Sequence, residues 1–155
     1  MDFNILTLGC KVNQYESQAM REALLKNGYF LSQNKDKADI TVINTCTVTS
    51  VSDAKNRKLI HRVRRQNPDG IIVLTGCMPQ AFPDEMKELK ECDIILGNKE
   101  RSKLVPAIEE FIARRSRLVN IPGYLITCSA GLNTICCIVI KPAVQPSSPF
   151  HFRST

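Results

Sequence analysis

The sequence predicts an α/β domain: an open, mostly parallel sheet of four or five strands with helices on both faces, followed by an irregular C-terminal tail. Three observations predict it. Short, nearly continuous Ile/Val/Leu runs recur along the first 112 residues. Helical stretches separate these runs, as in parallel sheets buried on both faces. Turn residues punctuate the joins.

Taken in order, "FNILTL" is a strand, and "QYESQAMREALLKNGYF" is a helix with Ala19, Ala23 and Leu24 at helical spacing and Gly28 as its stop. A short strand fits around "YFLS". "ADITVIN" is the next clear strand, and a long helix from Ser50 to Gln66 closes at "NPDG". "IIVLTG" is a strand, "PDEMKELKE" a short helix, and "CDIILG" a further strand. "RSKLVPAIEEFIARR" is the last helix and must accommodate Pro106. From Ala113 the texture changes. Residues 113–155 carry four of the eight prolines and no clean periodicity, so the sequence divides into a domain at 1–112 and an atypical, poorly ordered tail at 113–155.

Length and composition set bounds. With 155 residues, the chain can bury the core of one ordinary domain. No apolar run reaches the roughly 18 residues of a membrane span, and the N-terminus lacks the pattern of an export signal; a cytoplasmic address without membrane contact is expected. The formal net charge of +6 is unevenly placed. Acidic and basic residues nearly balance up to Ile112, and the tail holds five basic residues and no acidic one.

Seven cysteines in a chain with no export signal suggest thiolate chemistry rather than a disulfide framework. Three of them share a placement. Cys10 in "LTLGC", Cys46 in "VINTC" and Cys77 in "VLTGC" each stand just beyond the carboxyl end of a predicted strand. In an open parallel sheet those ends emerge on one edge, which is where such folds bind ligands. Helices follow, so backbone N–H groups and positive helix ends face the same place and favour thiolates. Three converging thiolates suit a soft metal, as an iron–sulfur cluster or zinc. The Cys-x-x-Cys knuckles of closed zinc sites are absent. Ordinary buried cysteines at strand ends remain the plain alternative. Cys92, at the start of a strand, belongs to the opposite edge and to the core.

Other chemistries find little support. Neither G-x-G-x-x-G nor G-x-x-x-x-G-K-[ST] occurs, and no Arg stands six residues after any of the three cysteines. The two histidines, His61 in a basic helix and His151 in the tail, read as surface residues.

"TLGCKVNQYES", "INTCTVT" and "LTGCMPQ", in this order and at these separations, resemble the N-terminal domain of the radical S-adenosylmethionine methylthiotransferases. The first stretch is most similar to the branch that adds a methylthio group to C2 of N6-threonylcarbamoyladenosine beside the tRNA anticodon. The resemblance covers about residues 1–112. It implies that Cys10, Cys46 and Cys77 hold an auxiliary [4Fe-4S] cluster whose free iron takes part in sulfur delivery. It also gives Gly9 and Gly76 a role in close backbone approach, and Asn13, Asn44 and Thr45 one in hydrogen bonding around the cluster. For Asn13 a helix N-cap is an equal alternative.

The departures from the family are equally specific. The C-x-x-x-C-x-x-C loop of a radical S-adenosylmethionine enzyme is absent, and Cys128, Cys136 and Cys137 do not fit it. S-adenosylmethionine and a second [4Fe-4S] cluster therefore belong only to a full-length family member. This chain reads as a truncated form, without the radical and RNA-binding domains, that binds a cluster and does not turn over alone. The tRNA partner suggests a role for "AKNRKLIHRVRRQ". Leu59, Ile60 and Val63 share one helical face there, while Lys55, Lys58, Arg62 and Arg65 form a stripe with Arg57 and Arg64 beyond it, which reads as a contact for tRNA phosphates or, since no aromatic residues interleave, as a solvated helix face. A zinc-holding α/β adaptor and a flavodoxin-like domain with incidental cysteines are the competing readings.

Overall fold

Residues 1–34, 37–46, 50–121 and 124–127 are described by a computed structural model. Seven strands form one sheet: β1 (Asp2–Thr7), β2 (Phe30–Leu31), β3 (Ile40–Thr45), β4 (Ile71–Gly76), β5 (Ile94–Leu96), β6 (Leu118–Ile121) and β7 (Tyr124–Thr127). Their order is β2-β1-β3-β4-β5-β6-β7. All neighbours pair in parallel except β6 and β7, which are antiparallel. The expected open α/β sheet is present, with more strands than the four or five read from sequence. The additional strands are β6 and β7, which lie in the stretch expected to be irregular. Residues 128–155, including Cys128, Cys136, Cys137 and His151, lie outside the described residues.

The strands β1, β3, β4, β5 and β6 send alternate side chains toward two apolar layers. Phe3, Ile40, Val42, Ile71, Val73, Ile94 and Leu96 pack with Met20 and Leu24 of α1 (Lys11–Lys26) and with Ile108 and Phe111 of α5 (Leu104–Arg114). Ile43, Ile72, Leu74 and Ile95 face the other way. They meet Ile60 and Val63 of α2 (Ser50–Gln66) and Met86 of α4 (Pro83–Glu88), with Met78 of the short α3 (Cys77–Ala81). Burying each such aliphatic side chain stabilises the fold by about 1.5–3 kcal/mol before entropy is counted. Cys92 sits in this second layer, fully buried at the amino edge, as its sequence position implies. Burial holds its thiol far above the ordinary cysteine range, so it stays protonated.

Two arginines hold the amino edge. Arg64 Nη2 donates to Asp93 Oδ2 at 2.6 Å, and its other nitrogens reach the carbonyls of Pro68, Gly70 and Glu91. Arg117, just before β6, donates to the carbonyls of Met86, Leu89 and Cys92. These bonds tie β6 to the α4–β5 connection.

The strand order also fixes where a ligand fits. After β1 the chain moves one way to β2, and from β3 it moves the other way to β4, so the direction of winding reverses between β1 and β3. At such a switch point the two crossing helices lie on opposite faces and leave a crevice beyond the strand ends.

Candidate metal centre

Cys10, Cys46 and Cys77 stand at that crevice. Register matches Thr7 with Asn44, Asn44 with Thr75 and Thr45 with Gly76, so Cys46 and Cys77 are the next residues on adjacent strands. The Leu8 N–H donates to the Asn44 carbonyl at 2.8 Å and carries the pairing one residue past β1. Cys10 is exposed at the start of α1, Cys46 is buried, and Cys77 is half-buried.

A buried polar network fixes the two strand ends at the switch point. On α1 the buried stripe is Asn13, Ser17, Met20 and Leu24, with the polar pair at the rim end. Asn13 Nδ2 donates to the carbonyls of Thr45 at 2.9 Å and Leu8 at 3.3 Å, and to Asn44 Oδ1 at 3.4 Å. Asn44 Nδ2 answers by donating to the Asn13 carbonyl and to Ser17 Oγ, both at 3.0 Å. Thr7 Oγ1 donates to Ser17 Oγ at 2.7 Å, and Thr45 Oγ1 to the Thr75 carbonyl at 2.8 Å. The N-cap alternative for Asn13 falls away, because the N-cap position of α1 is Cys10. Ser17, Thr7 and Asn56, which the sequence reading missed, belong to this network or border it; only their place on the buried faces identifies them.

The glycines are there for room. Gly9 has φ +127°, and a Cβ on it would collide with Cys46 Cβ and come within 3.2 Å of Cys46 Sγ. Gly76 has φ +106°, and a Cβ there would press on the Thr45 backbone and lie 2.8 Å from Asn44 Oδ1. Side chains at either position would push the cysteine-bearing strand ends apart.

Electrostatics favour a thiolate at Cys10. The backbone N–H groups of Asn13, and then of Val12, hold its thiol below the ordinary cysteine range. In the protonated form Cys10 Sγ donates to Asn13 Oδ1 at 3.5 Å. The donor set is thus three thiols, the soft ligands that iron–sulfur clusters and zinc prefer. Thr75 Oγ1, two residues before Cys77 in the chain, is buried and without a partner among the described residues. Residue types and the shared edge therefore fit a thiolate-held metal group. The sulfurs are nevertheless not drawn together, since no group of three or more His, Cys, Asp or Glu among the described residues could hold a metal ion.

The basic helix sorts into two sets. Arg57 pairs with Asp53 and Glu85, His61 with Glu91, and Arg64 with Asp93. Lys55, Lys58, Arg62 and Arg65 are exposed and form no ion pair among the described residues. The stripe singled out in the sequence is the set left facing solvent.

A parallel α/β domain with three thiols at its switch-point edge is the class that fold and site define. A profile of the uncharacterized protein family UPF0004 matches residues 2–97. The threonylcarbamoyladenosine tRNA methylthiotransferases MtaB of Aquifex aeolicus and Bacillus subtilis are 41% and 43% identical over 73% and 77% of the chain. The ribosomal protein uS12 methylthiotransferase RimO of Thermodesulfovibrio yellowstonii is 29% identical over 97% of it. The chain belongs to the UPF0004 family of methylthiotransferase N-terminal domains. It spans 28% and 26% of the length of the two tRNA-modifying relatives and 37% of the ribosomal one. Among the described residues, no helix is long and apolar enough to cross a membrane.

One consequence is measurable directly. Because Cys10 loses its proton more readily when folded, its stabilising contribution grows as pH rises through the folded value and is complete above the unfolded value, about 8.5. Iodoacetamide alkylation of Cys10, followed by peptide mass, should show a pH midpoint below that of the urea-unfolded chain. An equal or higher midpoint would remove the helix-end effect.

Proposed function

We propose that this chain is the auxiliary-cluster domain of a tRNA methylthiotransferase, with Cys10, Cys46 and Cys77 as the ligands of a [4Fe-4S] cluster. The observation that carries the reading is the placement of the three thiols at the ends of β1, β3 and β4, on the edge where this topology binds ligands. The cluster would supply an iron with an open position at which sulfur is held for transfer. The chain's own residues would present Cys46 through the Asn13–Asn44 network, keep Cys10 as thiolate and, through Gly9 and Gly76, leave space for a bulky group.

The substrate reading is tRNA carrying N6-threonylcarbamoyladenosine, with the cytoplasm as the expected site of reaction. It is supported by the higher identity to the tRNA-modifying relatives than to the ribosomal one. S-adenosylmethionine and the radical-generating cluster belong to a C-x-x-x-C-x-x-C loop that this sequence lacks. Turnover would therefore need a radical domain in addition to these 155 residues. The solvent-facing Lys55, Lys58, Arg62 and Arg65 extend over about 15 Å of α2 and would neutralise tRNA phosphates.

Anaerobic reconstitution with iron and sulfide tests the ligand set. About four of each per chain are expected. Alanine at Cys10, Cys46 or Cys77 should lower retention, while Cys92→Ala should leave it intact. Zinc retained without sulfide would instead favour the adaptor reading, and a folded chain holding neither metal would favour incidental cysteines.

The division of α2 has its own test. Replacing Lys55, Lys58, Arg62 and Arg65 together by Gln should change unfolding free energy by no more than about 0.5 kcal/mol per site. The same change should flatten the log–log salt dependence of tRNA binding by about 3. Arg64→Ala should do the reverse, costing about 2–3 kcal/mol in urea unfolding with the salt slope unchanged. A stripe variant with wild-type salt dependence would contradict the RNA role.

A further inference from the structure

Cys46 is the most enclosed of the three rim cysteines, with 6% of its surface exposed. The two backbone carbonyls at this point are each held by a buried asparagine, and the asparagines come from helices on opposite faces of the sheet. Asn13 Nδ2 of α1 donates to the Thr45 carbonyl, and Asn56 Nδ2 of α2 donates to the Cys46 carbonyl, both at 2.9 Å. The first bond lies within the network already described. The second stands apart.

Asn56 is 1% exposed and occupies the rim end of the buried stripe that continues as Ile60 and Val63. Its Oδ1 is buried with no hydrogen-bond partner among the described residues. A half-satisfied amide inside an apolar stripe lowers stability relative to an apolar side chain of similar size. Packing alone would favour Leu or Met here. What the asparagine provides is one directed bond to the peptide that carries Cys46 out of β3.

We infer that Asn56 is a positioning residue for Cys46, serving the rim rather than the stability of the fold. The inference rests on the reading of Cys46 as a metal ligand. It assigns a role to a residue outside the three cysteine stretches. The Asn13 and Asn56 amides clamp the chain from both faces just where β3 ends, so that the Cys46 thiol leaves the sheet in one direction. Losing the Asn56 donor would release one side of this clamp and leave the core intact.

The test uses the whole chain, first metal-free and then after reconstitution with iron and sulfide. Asn56→Leu fills the space without polar atoms, and Asn56→Asp keeps the shape but removes the donor. Urea unfolding reports on the fold, and iodoacetamide alkylation read by peptide mass reports on each thiol. The Leu variant should unfold at the wild-type urea concentration or higher. In both variants Cys46 should alkylate about tenfold faster in the metal-free chain, the scale set by one lost hydrogen bond. Cys92 should remain protected, and iron retention should fall. Unchanged Cys46 alkylation in a folded variant would overturn the inference, and so would unfolding of both variants, which would make Asn56 a residue of the core. The metal-free alkylation decides the positioning claim by itself. Wild-type chain that fails to hold iron would instead count against the metal-centre reading, so the two failures are separable.

Discussion

The carboxyl edge is organised around the reciprocal hydrogen bonding of Asn13 and Asn44. Each buried side-chain amide donates to a polar group on the other's element, and together they join the start of α1 to the end of β3 across the point where the sheet changes winding direction. Buried amides are costly when unpaired, so a network of this kind is stable in one arrangement and strained in others. It sets the spacing of the strand ends that carry Cys10 and Cys46. Gly76, lacking a Cβ, lets the end of β4 and Cys77 come up beside them.

The long helices α1 and α2, which start at this edge, follow one rule. The stripe that faces the sheet is apolar toward the far end and polar at the rim: Asn13 and Ser17 before Met20 and Leu24 on α1, and Asn56 before Ile60 and Val63 on α2. On these two helices the side toward the sheet is thus apolar under most of it and hydrogen-bonding at the carboxyl edge, where the three cysteines stand. The outer face of α2 shows a comparable division. Arg57 and Arg64 pair with carboxylates and His61 contacts Glu91, whereas Lys55, Lys58, Arg62 and Arg65 face solvent with no ion pair among the described residues.

Much of this was legible in the sequence because it depends on local patterns. The apolar runs of β1, β3, β4 and β5 are short and continuous, and the stop at Gly28 has the positive φ, +81°, that glycine tolerates. The cysteines were legible as a set because each stands beyond a strand of the same orientation. Harder to read were the strands β6 and β7. Leu118–Ile121 and Tyr124–Thr127 have four residues each, and their only marker is the Pro122–Gly123 dipeptide between them within a basic, proline-bearing stretch. Ser17 and Asn56 were hidden for a different reason. A polar residue on a helix is read as exposed unless its tertiary partner is known, and their partners lie 27 and 10 residues away. Alanine spacing on α1 was equally misleading, since Ala19 is exposed and the buried stripe runs through Asn13 and Ser17.

The central claim is that three sulfurs on this edge share one metal cluster and leave one iron without a protein sulfur. Mössbauer spectroscopy of the chain reconstituted with iron-57 tests it most directly. The account predicts a cubane spectrum in which one iron site differs from the rest and changes when a small thiol or sulfide is added. A mononuclear iron signal, or a cubane whose sites are unaffected by added ligand, would contradict it.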